Sequence, residues 1–191
     1  MDLGLEGKVA IVTGGSDGIG KAAAISMASE GAKVAIVGRT QAKLDDAVAE
    51  IKKASGGEVI GVATDVSVES DVKAMVEKVV SEYGKLDILV NNAGTSSSTT
   101  LEKMTDEDLK VDFGIKVYGA VYCARAALPH LKKSGAGAIV NTTTPGGKAP
   151  NPGGQPTSLS RAAGISLTKS WAGELAKDNI RVNTVCVGVL K

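Results

Sequence analysis

The sequence predicts an α/β fold in which a doubly wound parallel sheet is covered by helices on both faces, giving three layers. Short apolar runs rich in Val and Ile alternate with longer segments of helical period, which is the pattern of repeated strand–helix units. The first apolar run ends in a glycine-rich turn, as in folds that bind ligands at the carboxyl ends of their strands. With 191 residues, of which 43% are hydrophobic and 23% charged, the chain is predicted to form a single domain over residues 1–191.

Three strands and two helices are predicted in the first third of the chain. The run KVAIVT is compact and β-branched and is closed by Gly14 and Gly15, which predicts a buried strand. The runs KVAIVG and EVIGVA repeat that signature, and the segments between them have helical character. The strands cover residues 8–13, 33–38 and 58–63, and the helices cover residues 18–30 and 40–54.

The remaining elements follow the same alternation. Ser67 is placed to cap the helix that follows the third strand. Thr105, followed by three acidic residues, predicts the start of a long helix over 105–133, which Gly114 and Gly119 can bend. The later strands cover 86–90, 138–143 and 181–187, a loop covers 145–156, and the last helix runs from about 155 to 177. The loop is predicted because it holds four of the five prolines in the chain.

Composition and charge exclude several classes of partner. The net charge is +1 and aromatic residues make up only 3% of the chain, so neither nucleic acid nor an anionic membrane surface is an expected partner. No apolar run reaches the roughly 18 residues of a membrane span, and the N-terminus does not resemble a signal peptide, so we expect a cytoplasmic protein. Cys123 and Cys186 lack metal-ligand spacing and are expected to be buried free thiols; no metal site is predicted.

The segment TGGSDGIG lies between the first predicted strand and the first helix. Its spaced glycines allow a tight turn and a close approach of the backbone to a phosphate, and the helix beyond offers free N–H groups at its N-terminus. This context predicts a dinucleotide site, with a glycine-rich turn that binds nothing as the alternative. The candidate phosphate-binding residues are Gly14, Ser16, Asp17, Gly18, Ile19 and Gly20.

The end of the second strand predicts which dinucleotide is bound. A site for NAD(H) usually has Asp or Glu there to hold the ribose 2′-hydroxyl. Here the strand runs into Arg39 and Thr40, and no carboxylate precedes Asp45. Arg39 can pair with a 2′-phosphate, so NADP(H) is favoured over NAD(H). The alternative is a solvated arginine at the start of a helix, and the negative charge of Asp17 opposes the assignment mildly.

Four motifs together resemble those of the short-chain dehydrogenase/reductase family over essentially the whole chain. The motifs are Thr13-Gly14-x-x-x-Gly18-x-Gly20, Asp65-Val66 after the third strand, Asn91-Asn92-Ala93-Gly94 after the fourth, and Ile180-Arg181-Val182-Asn183 at the start of the sixth. The resemblance implies a Rossmann-type fold, a nicotinamide dinucleotide and an unknown small-molecule substrate. It also implies hydride transfer between the nicotinamide and a carbonyl or alcohol.

The resemblance implies further roles and contacts. Asp65 and Val66 would hold the adenine end of the dinucleotide, and Asn92, Ala93 and Gly94 would lie beside the cofactor. The helices at 105–133 and 155–177 would form the contact of a homodimer or homotetramer. Family members continue with a last strand and a substrate lid, which we expect this chain to lack.

The chain departs from the family at the catalytic tetrad of Asn, Ser, Tyr and Lys. Lys116 stands three residues before Gly119, where the family has Asn, and Thr144 stands at the Ser position that ends the fifth strand. Thr157 and Arg161 replace the Tyr and Lys of the Tyr-x-x-x-Lys motif. The candidate catalytic positions are therefore Lys116, Thr144, Thr157 and Arg161, all of them substituted.

These substitutions predict weak proton transfer. A Thr hydroxyl has no acidity comparable to that of a Tyr whose pKa is lowered by a neighbouring cation, and Arg161 cannot carry a proton. Lys116 is open to two interpretations, a desolvated replacement acid or a solvated helix lysine, and the second is favoured. Two functions follow. The chain is an NADP(H)-dependent oxidoreductase with a rearranged or water-mediated proton donor, or it is a cofactor-binding, catalytically weak relative with a sensing or assembly role.

Overall fold

The computed structural model describes residues 3–188 and contains the predicted parallel sheet. The strands are β1 (Val9–Thr13), β2 (Lys33–Gly38), β3 (Val59–Ala63), β4 (Ile88–Asn91), β5 (Ser98–Thr99), β6 (Ala138–Thr143), β7 (Gln155–Pro156) and β8 (Arg181–Cys186). Six of them form one sheet in the order β3-β2-β1-β4-β6-β8, with every neighbouring pair parallel. The short β5 and β7 pair antiparallel beside it. The strand order reverses between β1 and β4, which is where such sheets bind ligands.

The helices lie between the strands, as the alternation of the sequence predicts. They are α1 (Gly18–Ser29), α2 (Gln41–Ser55), α3 (Glu69–Tyr83), α4 (Asp106–Phe113), α5 (Gly119–Ser134) and α6 (Thr157–Leu175). Within residues 3–188, no helix has the length and apolarity needed to cross a bilayer.

Two apolar clusters hold these helices to the sheet, one on each face. Alternate residues of β1 face opposite sides: Ile11 packs with α3 and α5, whereas Val12 packs with α1 and α2. Both side chains are fully buried. The covering is incomplete beside β8, where Val185 is 52% exposed.

The predicted long helix is interrupted. Gly114–Tyr118 forms a π-helical turn between α4 and α5, so that two glycines stand at the ends of the two α-helical segments. Thr105 caps α4 as expected, since its hydroxyl accepts from the Asp108 N–H while the Asp108 carboxylate accepts from the Thr105 N–H. A π-helical turn adds one residue to the local repeat, and it directs the side chain of Lys116 inward.

Two expectations from the sequence are wrong. Ser67 does not cap α3, because its N–H and hydroxyl both donate to the carboxylate of Asp65, and the residue preceding the helix is Val68. Cys186 is exposed near the end of β8, while Cys123 is buried as expected. Burial raises the pKa of the Cys123 thiol to about 12, so this thiol stays protonated.

Candidate functional site

An open groove with a volume of about 540 Å³ lies at the carboxyl ends of the strands. It brings together most of the residues that the sequence singles out for dinucleotide binding. From that set the groove is lined by Gly14, Ser16, Asp17, Gly18, Ile19, Arg39, Thr40, Asp65, Val66, Asn92, Ala93, Gly94 and Arg161. The groove is also lined by residues outside the predicted dinucleotide-binding set, among them Lys43, Thr95, Ser96 and Thr142. The shape suits an extended ligand that runs across β1 at the reversal of strand order.

The glycine loop forms one wall of the groove. Gly14 and Gly18 have φ of +65° and +53°, a region in which L side chains are strained. The carboxylate of Asp17 accepts a hydrogen bond of 2.7 Å from the N–H of Gly18 and so begins α1. Gly20 lies behind the groove, where a Cβ would collide with the carbonyl oxygen of Gly14. The loop therefore packs closely at Gly14 and Gly20, whereas a Cβ on Gly18 would meet nothing within 4 Å.

The loop after β4 is tied directly to the glycine loop. The side-chain amide of Asn92 donates to the carbonyl oxygens of Thr13 (3.0 Å) and Gly14 (3.2 Å). In return, the hydroxyl of Thr13 accepts from the N–H groups of Asn92 (2.9 Å) and Ala93 (3.0 Å). These bonds fix two walls of the groove relative to each other.

A second buried chain of hydrogen bonds runs behind the groove. The amide of Asn91 donates to Asn141 (2.9 Å), and the amide of Asn141 donates to the Thr168 hydroxyl (2.9 Å). The chain joins β4, β6 and α6 beneath the substituted catalytic positions. The sequence singled out Asn91 only as part of a motif, and it gave no signal that Asn141 and Thr168 are its partners.

Basic side chains stand where the second strand ends. Arg39, which follows β2, and Lys43, in the first turn of α2, both line this end of the groove. Asp65 lies opposite, and hydrogen bonds from the Ser67 hydroxyl (2.6 Å) and N–H (2.9 Å) lower the pKa of its carboxyl. An ionised, firmly oriented carboxylate and two cations thus share the same end of the groove.

Lys116 is buried, so its interpretation as a solvated helix lysine is wrong. Its side chain and that of Asp112, which precedes it by four residues, are each 1% exposed and form an ion pair. Burial lowers the pKa of Lys116, and the hydrogen bond and charge of Asp112 partly offset that effect. The spacing is the ordinary one for paired side chains on a helix, but the π-helical turn places the pair in the interior.

Thr157 lies at the first residue of α6, next to the buried pair. Its hydroxyl accepts from the Nζ of Lys116 (3.0 Å) and from the N–H of Ser97 (3.1 Å). The same hydroxyl donates to the carbonyl oxygen of Ser97 at 2.7 Å. A hydroxyl has one hydrogen and two lone pairs, so each hydrogen-bonding position of Thr157 is already used within the protein.

The other two candidate positions are Arg161 and Thr144, and the side chain of Arg161 lies next to that of Lys116, because both come within 3.3 Å of the position that a Cβ on Gly94 would take. One guanidinium nitrogen of Arg161 donates to the carbonyl oxygen of Thr142, and another lies 3.0 Å from the position that a Cβ on Gly94 would take. The buried Nε of Arg161 has no hydrogen-bond partner within residues 3–188. Burial lowers the pKa of Arg161, and the charge of Asp112 partly offsets that effect. Thr144 immediately precedes the 3₁₀ turn Pro145–Gly147 and is not hydrogen-bonded to the Lys116 cluster in the described part of the chain.

The groove and the hydrogen-bonded side chains around Lys116 present oxygen and nitrogen atoms, which suit an organic ligand. In the described part of the chain, no group of three or more His, Cys, Asp or Glu residues is arranged to hold a metal ion.

Comparison with known proteins places this fold and groove in a family. The family model for short chain dehydrogenases matches residues 8–191. The 3-oxoacyl-acyl-carrier-protein reductase FabG of Thermotoga maritima is 39% identical over 189 residues, which is 98% of this chain and 76% of the relative.

Solved structures give the same result. The L-sorbose reductase of Gluconobacter frateurii, determined with NADPH and L-sorbose, matches with a TM-score of 0.94 and 39% identity over 97% of this chain and 71% of that one. The 3-ketoacyl-acyl-carrier-protein reductase of Brucella melitensis, determined with NADH, matches with a TM-score of 0.91 and 36% identity over 96% and 76% of the two chains. This chain belongs to the short-chain dehydrogenase/reductase family.

Proposed function

We propose that this protein, a member of a family of oxidoreductases, binds NADP(H) but transfers protons poorly. It would therefore reduce ordinary ketones slowly or not at all. One observation carries the proposal. The hydroxyl of Thr157, at the position of the family's catalytic Tyr, donates its hydrogen to Ser97 and accepts two hydrogen bonds from within the protein.

The groove supports dinucleotide binding. The absence of side chains at Gly14 and Gly18 leaves the backbone open to a pyrophosphate, and the N-terminus of α1 lies beside them. Asp65 and Val66 would hold the adenine, and Asn92, Ala93 and Gly94 would face the rest of the dinucleotide. Relatives have been determined with NADPH and with NADH, so the choice of NADP(H) rests on this chain's own cations.

Arg39 and Lys43 support that choice. Both line the end of the groove at which the 2′-position of the adenosine ribose would lie. A guanidinium can form two parallel hydrogen bonds with a phosphate, and the nearby ammonium adds a second positive charge. The carboxylate that would hold an unphosphorylated ribose does not follow β2.

The side chains at the candidate catalytic positions limit the proton transfer that this protein can perform. A bound nicotinamide dinucleotide supplies or accepts a hydride, so the protein must handle the accompanying proton. Arg161 stays protonated and can donate hydrogen bonds to a ribose, but it cannot exchange a proton at neutral pH. Thr157 lacks both the acidity and a free hydrogen. A general acid supplies roughly 10²–10⁴ in rate, which is the loss we expect.

Lys116 is the one observation that favours an active enzyme as a second candidate. Burial lowers the pKa of Lys116, and the hydrogen bond and charge of Asp112 partly offset that effect. Its ammonium, however, faces Asp112 and Thr157 and does not line the groove. Proton donation to a substrate would require that this cluster rearrange.

Titration with NADPH and NADH, followed by cofactor fluorescence, tests the binding proposal. We expect tighter binding of NADPH. Turnover of a panel of simple ketones, 3-ketoesters and ketoses, measured by absorbance of the reduced cofactor, then tests the catalytic proposal. Rapid turnover that is lost in Lys116→Met would favour the second candidate. If neither dinucleotide binds, both candidates are wrong.

We also propose that the chain assembles as a homodimer or homotetramer through α4, α5 and α6. Large apolar side chains on these helices support this, since Val111 is 47%, Tyr118 56% and Leu159 44% exposed. Tyr118, the last residue of the π-helical turn, stacks on Tyr122 of α5 with ring centroids 6.2 Å apart, which forms an aromatic surface at the start of α5.

A further inference from the structure

Four polar side chains from separate parts of the chain form a closed cluster, which we call the polar clamp. It consists of Ser97 in the segment after β4, Asp112 on α4, Lys116 in the π-helical turn and Thr157 at the start of α6. One carboxylate oxygen of Asp112 accepts from Lys116 and, at 3.2 Å, from the hydroxyl of Ser97. The clamp therefore links three helical segments to one loop.

The ion pair is the rigid part of the clamp. Both of its side chains are 1% exposed, so neither partner can exchange the other for water. Removing one member of such a pair leaves an uncompensated buried charge, which is strongly unfavourable. Asp112 thereby holds the ammonium of Lys116 against Thr157, and the Thr157 hydroxyl in turn holds both backbone groups of Ser97.

The bonds to Ser97 fix a segment that reaches the groove. Immediately after Ser97, β5 pairs with β7, so that Ser98 lies opposite Pro156. Immediately before it, Thr95 and Ser96 line the groove beside Gly94 and Arg161. The position of this groove wall thus depends on contacts made at residue 97 and beyond.

We propose that Asp112 and Ser97 are positioning residues for dinucleotide binding. Acting through Lys116 and Thr157, they hold Thr95 and Ser96 in the groove wall beside Gly94. The proposal rests on NADP(H) binding in the groove. It predicts different effects on two parts of that ligand, because Arg39 and Lys43 lie on the segment that leads into the first turn of α2, and within residues 3–188 no hydrogen bond joins the four clamp side chains to that segment. The clamp should therefore strengthen binding of the nicotinamide half of the dinucleotide and have little effect on binding of the adenosine half.

Thr157→Val tests the clamp in the full-length chain, because valine keeps the shape of threonine and removes only the hydroxyl. Adenosine 2′,5′-bisphosphate serves as the probe for the adenosine half. We expect the Kd for NADPH to rise about tenfold, as for the loss of one to two hydrogen bonds, and the Kd for the bisphosphate to change by less than about twofold. Hydrogen exchange of the Ser97 amide, followed by NMR, should accelerate by about tenfold or more.

Thr157→Ser is the matched control, since it restores the hydroxyl and should restore both the NADPH affinity and the Ser97 protection. Asp112→Asn keeps the shape of the side chain but removes its charge, and it should reproduce the pattern of Thr157→Val. Asp106→Asn, on the exposed first turn of α4, should leave both ligands unaffected. Asp112→Asn leaves the buried ammonium of Lys116 without its counter-charge, so Thr157→Ala, which keeps the ion pair, is the second test of the clamp if Thr157→Val does not fold.

Two results would overturn the proposal: an equal loss of affinity for both ligands, or unchanged exchange at Ser97 in Thr157→Val. Failure of the wild-type chain to bind either ligand would overturn the proposed function instead. In that case the exchange of the Ser97 amide in Thr157→Val and Thr157→Ser still decides whether the clamp holds the segment.

Discussion

The Nζ of Lys116 lies 3.0 Å from the Oγ1 of Thr157, so two side chains that the sequence singles out as candidate catalytic residues are hydrogen-bonded to each other. The substitutions are therefore not independent losses. Lys116 is held by Asp112, and Thr157 is held by Lys116 and Ser97. A change at any one of these positions must be judged by what it does to the others.

Restoring only the Tyr and Lys of the family motif should fail. In Thr157→Tyr with Arg161→Lys, the phenol ring would need the space now taken by Lys116 and Ser97, which approach Oγ1 to 3.0 Å and 2.7 Å. Adding Lys116→Asn and Asp112→Leu removes the ion pair and should raise kcat/KM for ketone reduction about 10²–10⁴-fold over the double variant. Full activity in the double variant would contradict this explanation.

The ion pair should show strong non-additivity in stability. Asp112→Leu and Lys116→Met each leave one buried charge without its partner, and each should lower the free energy of unfolding by about 3–5 kcal/mol. The double variant replaces the pair with apolar groups and should lie within about 1 kcal/mol of the wild type. Guanidinium unfolding of the four proteins completes the cycle. If the losses of unfolding free energy in the two single variants add up in the double variant, the two charges do not stabilise each other.

Arg39 should set the preference between dinucleotides. Arg39→Ala removes the cation expected to pair with the 2′-phosphate, and a hydrogen bond to a charged group contributes about 1.5–3 kcal/mol. The Kd for NADPH should therefore rise by about 10–150-fold, with little change for NADH. Fluorescence titration of both nucleotides measures the ratio. Lys53→Ala, in the last turn of α2 and outside the groove, is the control.

Asp87 should make the fold sensitive to acid. Its burial by itself would raise the pKa, but bonds from Ser134 (2.6 Å) and the Val9 N–H (2.9 Å), together with Lys85, hold the pKa below its ordinary value. A carboxyl with a lowered folded-state pKa stabilises the fold above its unfolded pKa of about 3.9, and that stabilisation is lost as the pH falls through the folded pKa.

The variant Asp87→Asn measures this contribution. It should lower the free energy of unfolding at pH 7 by about 1–3 kcal/mol, and the difference from wild type should shrink as the pH falls below about 4. Denaturant titrations at several pH values provide the test, with the exposed Asp46→Asn as the control. A difference that stays constant with pH would mean that ionisation of Asp87 is not responsible.

The exposed aromatic surface of α5 should mediate assembly. Tyr118→Lys places a charge on a face that we expect a second copy to bury, and it should shift the protein toward monomer. Sedimentation velocity at several concentrations reports the change. Lys78→Glu, at an exposed position of α3 and outside the proposed contact, tests whether a change of charge alone alters the association state. A wild-type chain that stays monomeric at high concentration would contradict the assembly proposal.

The sequence predicted those features that local patterns encode. Alternating apolar runs gave all six strands of the main sheet, and Thr105 gave the start of α4. The Asp112–Lys116 pair was missed although its spacing of four residues was visible, because spacing tells which side chains meet and not whether their shared face is buried. That burial depends on the π-helical turn and on the contact with α6, which are properties of the folded chain.

Asp112 and Lys116 also bear on how the present site could change over generations. A single mutation that returns residue 116 to Asn would strand a carboxylate in the interior, and a single mutation at residue 112 would strand an ammonium. Either intermediate would lose about 3–5 kcal/mol, a large part of the stability of a typical domain. A route to an uncharged pair by single mutations therefore passes through a poorly stable intermediate unless both residues change together. The buried pair thus opposes change at either position alone.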